Sequence, residues 1–237
     1  MKRFYKTATY NEQSGQFFIT LDGRPITTPG RHILHTPTES LAKEVCAEWM
    51  AQGDDIIPDS MPITQYCYTA LDYVTKHRTE ITATILNFLN TDLLCYRTDR
   101  PQELIEKQNT AWDPYVSWFT DHFGHSLETT TGLIALTQDA AAHEKVKTHV
   151  DGLETEQLTI AQFLTASCGS LIMALCFVEG ATTCEAMFNA AFVEELHQGA
   201  VHEEERFGID PIQEKQRARL SRDLKAAETY LTCLKQN

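Results

Sequence analysis

The hydrophobic pattern of this chain changes its period once, near residues 54–62, and that change restricts the possible folds most. Before it, residues 3–10 and 16–21 are alternating or rich in β-forming side chains, with turn-forming residues between them. After it, apolar residues recur at helical spacing through roughly eight segments. We therefore predict an α+β fold with the two types segregated. A small antiparallel β-rich domain with one helix is predicted for residues 1–58, and a larger all-α domain for residues 59–237.

Local signals place one hairpin turn and the first helix. Asp22-Gly23 provides the two residues with positive φ that a type I′ hairpin turn requires. Leu41, Val45 and Trp49 recur at four-residue spacing, which predicts a helix that covers one face of the sheet.

Helix boundaries in the second domain are predicted from caps and spacing. Asp113 is expected to cap a helix whose first turn holds Pro114, with Trp112 packed in the core. Continuous helices are predicted over residues 156–178 and 182–205.

The charge of the chain is strongly acidic and uneven. Its 237 residues hold 20 Lys and Arg against 33 Asp and Glu, a net charge of −13. Residues 98–205 contain 18 acidic and 4 basic residues, whereas residues 206–225 contain 3 acidic and 6 basic ones. This acidity argues against nucleic acid and against anionic membrane surfaces, and it favours either a solvated face or a basic protein partner. No apolar run is long enough for membrane insertion, and we see no signal peptide, so a cytoplasmic protein is expected.

Motifs for catalysis, cofactors or metals are not found in the sequence. There is no phosphate-binding glycine loop, no HExxH and no GxSxG, and the His122/His125 pair lacks a third ligand nearby. The seven cysteines form no CxxC pair and lie among apolar residues, as expected for small buried side chains in a reducing compartment. We therefore predict no enzyme activity, no cofactor and no metal.

An acidic cluster lies late in the chain. Glu194-Glu195 precedes Gln198, and Glu203-Glu204-Glu205 follows. A carboxylate pair can do acid–base work, but on a continuous surface helix without signs of a pocket a solvated or partner-binding face is favoured.

Several long motifs, in this order and spacing, resemble one known family. They are Leu21-Asp22-Gly23-Arg24-Pro25, Glu48-Trp49-Met50-Ala51-Gln52-Gly53, Met61-Pro62-Ile63-Thr64, Thr91-Asp92-Leu93-Leu94-Cys95-Tyr96-Arg97 and Trp112-Asp113-Pro114. The chain is similar to the assembly chaperones of the ATP synthase F1 α subunit, which include mitochondrial F1-ATPase assembly factor 2 and bacterial homologues. The resemblance covers nearly the whole chain and is densest over residues 3–118.

The resemblance implies an ATP-independent chaperone that is not an enzyme. It would bind the unassembled F1 α subunit, prevent its aggregation and hand it to the β subunit. We expect a monomer when free, in the bacterial cytoplasm, or in the mitochondrial matrix if this is the mature chain of a eukaryote. A helical adaptor for another basic protein is the alternative, and an enzyme acting on a small molecule is a weaker one.

The partner-binding residues implied by the resemblance lie on the late helices. The family has an acidic pair and a Gln, matched here by Glu194, Glu195 and Gln198, followed by a Trp-Gly pair, matched by Phe207-Gly208 before Asp210. The interval is about five residues longer than in the family pattern, so Glu203 and its neighbours are an alternative for the acidic role. Charge reversal at Glu194 and Glu195 is expected to weaken binding without lowering the melting temperature.

Overall fold

A computed structural model describes residues 1–132, 134–201 and 211–236, and it confirms the α+β class with a small antiparallel sheet at the N-terminus. The four strands of this sheet are β1 Ala8–Gln13, β2 Gln16–Leu21, β3 Arg24–Pro25 and β4 His35–Thr36. The described α-helices are α1 Glu39–Met50, α2 Pro62–Thr69, α3 Thr75–Leu86, α4 Gln102–Phe123, α5 Ala140–Asp151, α6 Thr155–Cys168, α7 Leu171–Val178, α8 Cys184–Ala191, α9 Val193–Val201 and α10 Pro211–Leu234.

The sheet is built on β2, which pairs antiparallel with β1, β3 and β4. Asp22 and Gly23, with φ of 48° and 77°, connect β2 to β3, so the predicted type I′ turn is confirmed. Thr38 caps α1 by accepting the Leu41 N–H, and Leu41, Val45 and Trp49 are buried, as predicted. Helix α1 packs on β1 and β2.

Glu48 connects α1 to the start of α2. Its carboxylate accepts the backbone N–H groups of Ile63 and Thr64, at 2.8 and 2.7 Å, and the hydroxyl of Thr64. These N–H groups have no partner within their helix, so the carboxylate completes the first turn of α2. Burial raises the pKa of the Glu48 carboxyl, against the opposing effect of these hydrogen bonds.

Asp72 lies in a π-helical turn, Ala70–Val74, and binds the loop of residues 28–32. It accepts hydrogen bonds from the Thr28 hydroxyl at 2.5 Å, the Gly30 N–H at 2.7 Å and Nδ1 of His32 at 2.6 Å. A Cβ on Gly30 would lie 2.6 Å from Cγ of Asp72, so glycine is required for this close approach.

Contacts divide the described chain into two compact units. One comprises residues 1–78, 154–159 and 225–237, and the other comprises residues 79–153 and 160–224. The predicted boundary after residue 58 differs from this division. The units separate within α3, α6 and α10, so each of these helices contributes residues to both units. The extent of separately folding domains stays a prediction.

Helix α4 runs without interruption through Pro114, so the prediction of a helix start capped by Asp113 is wrong. Proline removes the hydrogen bond to the carbonyl four residues earlier, here that of Thr110. Both Pro114 and Thr110 are exposed, and water can satisfy that carbonyl. The prediction that Trp112 packs in the core is confirmed: it is fully buried, and its Nε1–H donates to the Ala190 carbonyl at 2.8 Å.

The helix predicted over residues 156–178 is two helices, α6 and α7. Gly169 has a φ of 69°, and Ser170 caps α7 by accepting the Met173 N–H. The fully buried carboxylate of Asp92 accepts the N–H groups of Leu94 and Ile172, both at 3.2 Å. Burial raises the pKa of Asp92 to about 6, although these hydrogen bonds oppose the shift.

Six of the seven cysteines are buried, as predicted, and only Cys184 is partly exposed. Burial raises the pKa of Cys46 to about 11 and those of Cys95 and Cys168 to about 12, so these thiols stay protonated. Among the described residues, no helix has both the length and the apolar character that a membrane span requires.

Candidate partner-binding site

The predicted continuous helix over residues 182–205 is interrupted at Phe192, which separates α8 from α9. Phe192 has a φ of −114° and a ψ of 18°, outside the helical range, and its N–H still bonds to the Phe188 carbonyl. The break makes α9 a separate helix whose first turn carries Glu194 and Glu195. Both side chains are partly exposed.

Glu194 contacts α4 directly. Its Oε1 accepts a hydrogen bond of 2.6 Å from Nε2 of Gln108, which is buried and whose Oε1 in turn accepts the Thr98 N–H at 2.9 Å. Charge reversal at Glu194 would therefore leave the buried Gln108 amide facing an ammonium. We now expect that substitution to lower the melting temperature, in contrast to the expectation from the sequence.

The other predicted residues differ in their surroundings. Glu195 accepts a hydrogen bond from Nη2 of Arg217 through its backbone carbonyl, at 3.2 Å. Gln198 is exposed, one turn after Glu194 on the same face. Glu203 and Asp210 lie outside the described residues, so their assignment stays a prediction. The structure brings Glu194, Glu195 and Gln198 together on α9.

A polar cluster is centred on Lys107, the residue directly before Gln108 on α4. The ammonium of Lys107 is 2.7 Å from Oε1 of Glu103 and 3.2 Å from Nδ1 of His197. His197 is buried, although it follows the acidic pair on α9. Lysine can only donate, so in this contact Nδ1 of His197 is the acceptor.

Beside this cluster runs an apolar groove of about 800 Å³, bounded by α4, α8 and α9. Its floor and walls include the short side chains of Ala111 and Ala186, together with Pro114, Trp118 and Leu196. Small residues on the facing helices leave the space open, and Trp118 and Leu196 border it. Trp118 and Leu196 are both partly exposed.

The sequence predicts α9 as part of a surface helix without a pocket, so it does not predict this groove. A signal was present: the exposed face of α4 carries short or apolar residues at helical spacing, namely Ala111, Pro114 and Trp118. With a helix start predicted at Pro114, these three residues fall on different segments and do not form one face.

The described residues contain no group of three or more side chains arranged to hold a metal ion. The two histidines of the HxxH pair have other partners: Nδ1 of His125 is 3.1 Å from Asp139, and His122 stacks on Trp118 with ring centroids 4.6 Å apart.

Comparison with known proteins agrees with the resemblance seen in the motifs. The sequence model of the family described as ATP12 chaperone protein matches residues 2–120. The mitochondrial protein atp12 of Schizosaccharomyces pombe is 28% identical over 191 residues, which cover 76% of this chain. The match spans 66% of the length of that relative, slightly less than two thirds.

Two solved structures share the fold over nearly the entire chain. Atp12 from Paracoccus denitrificans is 31% identical, with a TM-score of 0.85, and the match covers 98% of each chain. The Atu1473 protein of Agrobacterium tumefaciens is also 31% identical, with a TM-score of 0.89, and the match covers 98% of this chain and 86% of that one. With half of its sequence matched by the family model and its fold shared with Atp12, this chain belongs to the ATP12 chaperone protein family.

Proposed function

We propose that this chain is an ATP-independent chaperone that binds the unassembled F1 α subunit of ATP synthase, prevents its aggregation and releases it to the β subunit. Membership in the ATP12 chaperone protein family carries the proposal. We propose that the chain acts without enzyme activity, in the cytoplasm of a bacterium or in the mitochondrial matrix of a eukaryote.

The candidate site supports this role by its mixed chemistry. A subunit waiting for its partner exposes apolar surface that would otherwise be buried in the assembly, and such a surface promotes aggregation. A chaperone has to cover that surface and still release it, which favours an apolar centre with a polar rim. Here the apolar groove provides the centre, and the acidic first turn of α9 provides part of the rim.

The acidic pair is proposed to engage basic groups of the α subunit. Residues 98–205 carry 18 acidic and 4 basic side chains, an excess that speeds association with a basic surface and disfavours acidic partners. Because Glu194 also bonds to Gln108, neutralisation separates the two roles better than reversal. Glutamine at 194 keeps an oxygen that can accept from Gln108 while it removes the charge.

The experiment warms purified F1 α subunit with and without an equimolar amount of this protein and follows light scattering. We expect suppressed scattering and a 1:1 complex on sizing, without ATP. The double variant Glu194→Gln/Glu195→Gln should bind more weakly at an unchanged melting temperature. Asp121→Asn/Glu144→Gln removes the same charge from exposed positions on α4 and α5 and is the matched control.

Unchanged scattering together with no complex would refute the proposal and favour an adaptor for another basic protein. If both double variants bind as the wild type does, the acidic pair is not part of the interface.

A further inference from the structure

We propose that the groove between α4, α8 and α9 holds one amphipathic segment of the client subunit, with apolar side chains along one face and a lysine or arginine at the end nearest Glu103 and Glu106. This inference rests on the proposed function, since the client is the same α subunit. It adds the kind of client segment that is bound, the end of that segment that carries the positive charge, and the residues of this chain that contact it.

The dimensions of the groove suit one segment. The residues of α4 that line it run from Glu103 to Trp118, and a helix rises about 1.5 Å per residue, so the groove is about 22 Å long. That length accommodates about four turns of a helix, whose side chains at positions i, i+4 and i+7 form one apolar row. A volume of about 800 Å³ leaves room for several of these side chains.

The apolar part of the groove can provide the binding energy. Trp118 is the only one of the three tryptophans that is not buried, since Trp49 and Trp112 both lie in the core. Tryptophan is among the residues in which binding energy concentrates at interfaces, and Trp118 lies beside short side chains that leave room for a client side chain to pack on it. Leu196, 36% exposed, borders the same space from α9.

The charge at the other end selects a basic residue. Glu103 and Glu106 are exposed there. Lys107, the lysine among the described residues that line the groove, is already bonded to Glu103 and to His197. With Glu194 on the adjacent α9, carboxylates outnumber ammonium groups. An incoming lysine or arginine gains from this field, whereas an acidic segment is repelled.

A second copy of this chain fits the groove less well. The chain has a net charge of −13, so the approach of a second copy to this acidic region meets like-charge repulsion.

The test compares two pairs of variants for binding to purified F1 α subunit. Ala186→Phe fills the groove, and Ala141→Phe is its matched control, because both alanines are exposed in the capped first turn of a helix. Glu106→Lys reverses charge at the polar end, and Glu144→Lys makes the same change on α5. We expect Ala186→Phe and Glu106→Lys each to raise Kd about ten-fold or more, and both controls to bind as the wild type does.

A photo-crosslinking residue at Asn189, which lines the groove, identifies the bound segment by mass spectrometry. We expect a segment with spaced apolar residues and a lysine or arginine at one end. An acidic or uniformly polar segment would overturn the inference.

The failures of the two proposals are distinguishable. If the wild type forms no complex with the α subunit, both fall. If it forms the complex, and Ala186→Phe and Glu106→Lys bind with unchanged Kd, only the groove inference falls. If the wild type dimerises and Ala186→Phe is a monomer, the groove belongs to a second copy and the inference is overturned. Should Ala186→Phe unfold, the Glu106→Lys comparison still decides.

Discussion

The carboxylate of Asp72 connects the loop of residues 28–32 to the π-helical turn through three hydrogen bonds, and its removal tests what that contact contributes to stability. The side chain of Asp72 is only 18% exposed and Thr28 is buried, so water cannot replace the hydrogen bond between them. Gly30 is exposed and His32 is partly exposed, so water can bond to both in a variant that lacks the carboxylate. The net contribution of a hydrogen bond to a charged group is about 1.5–3 kcal/mol. We therefore expect Asp72→Ala to lose about 2–3 kcal/mol, chiefly through the bond to Thr28.

Gly30→Ala perturbs the same contact from the other side. Its new Cβ would lie 2.6 Å from Cγ of Asp72, closer than real Cβ atoms approach, so the carboxylate has to move away from the Gly30 N–H. We expect a loss of about 2 kcal/mol. In the Asp72→Ala background there is no clash, and a glycine-to-alanine change then stabilises by about 0.4–1 kcal/mol through the unfolded state.

The assay is urea unfolding of the wild type, the two single variants and the double variant. With a slope of about 2–3 kcal/mol/M, each single variant should lower the midpoint by roughly 0.7–1.5 M. The double variant should be no less stable than Asp72→Ala alone, which gives a coupling energy of about 2 kcal/mol or more. Additive losses would refute the reasoning, because they would mean that Gly30 does not meet the Asp72 carboxylate.

The same contact predicts a pH dependence. Burial opposes ionisation of Asp72, but hydrogen bonds from His32, Thr28 and Gly30 outweigh it and hold the pKa of the carboxyl below its usual 3.8. A depressed pKa contributes stability above the unfolded-state value, and this stability is lost as the pH falls through the folded-state value. The wild type should therefore lose its advantage over Asp72→Ala below about pH 4.

Three further predictions concern the unit of residues 79–153 and 160–224. Gln108→Glu replaces an amide donor by a second carboxylate beside Glu194, and the repulsion between the two carboxylates should cost about 2 kcal/mol. A thermal melt should show a Tm lower by about 4–8 °C, and an unchanged Tm would contradict the contact between Gln108 and Glu194. Trp112→Phe removes the hydrogen bond to the Ala190 carbonyl and leaves a gap in the core. The change should cost about 2 kcal/mol and lower Tm by about 4–8 °C in a thermal melt. An unchanged Tm would contradict the contact. Thiol titration of the native protein should show about one fast-reacting thiol, that of the partly exposed Cys184, and Cys184→Ser should abolish it. Several fast-reacting thiols would mean that the buried cysteines become accessible in the native protein.

The sequence predicts those elements whose signals are local. The hairpin at Asp22-Gly23 depends on two backbone conformations, and α1 depends on a cap and one apolar stripe, so both were found. The helix breaks depend on distant contacts. Gly169 ends α6 where the buried Asp92 carboxylate is available for the start of α7, and no spacing within residues 156–178 shows this.

The acidic pair is visible in the sequence and the groove is not, for a related reason. Glu194 and Glu195 are conspicuous as charges, whereas the groove is a space between three helices and needs their packing. Two of the motif residues behind the family resemblance, Glu48 and Asp92, form internal contacts at helix starts. Those motifs therefore predicted the family and the fold, and the binding residues stay a prediction.

Hydrogen exchange of this protein, alone and with purified F1 α subunit, tests the central claim most directly. The account predicts that slowed exchange concentrates in α9, in α8 and along α4 from Glu103 to Trp118, while α1 and α5 exchange at unchanged rates. A complex that protects other elements and leaves these three helices unchanged would contradict the assigned site. The lack of any complex would contradict the proposed function itself.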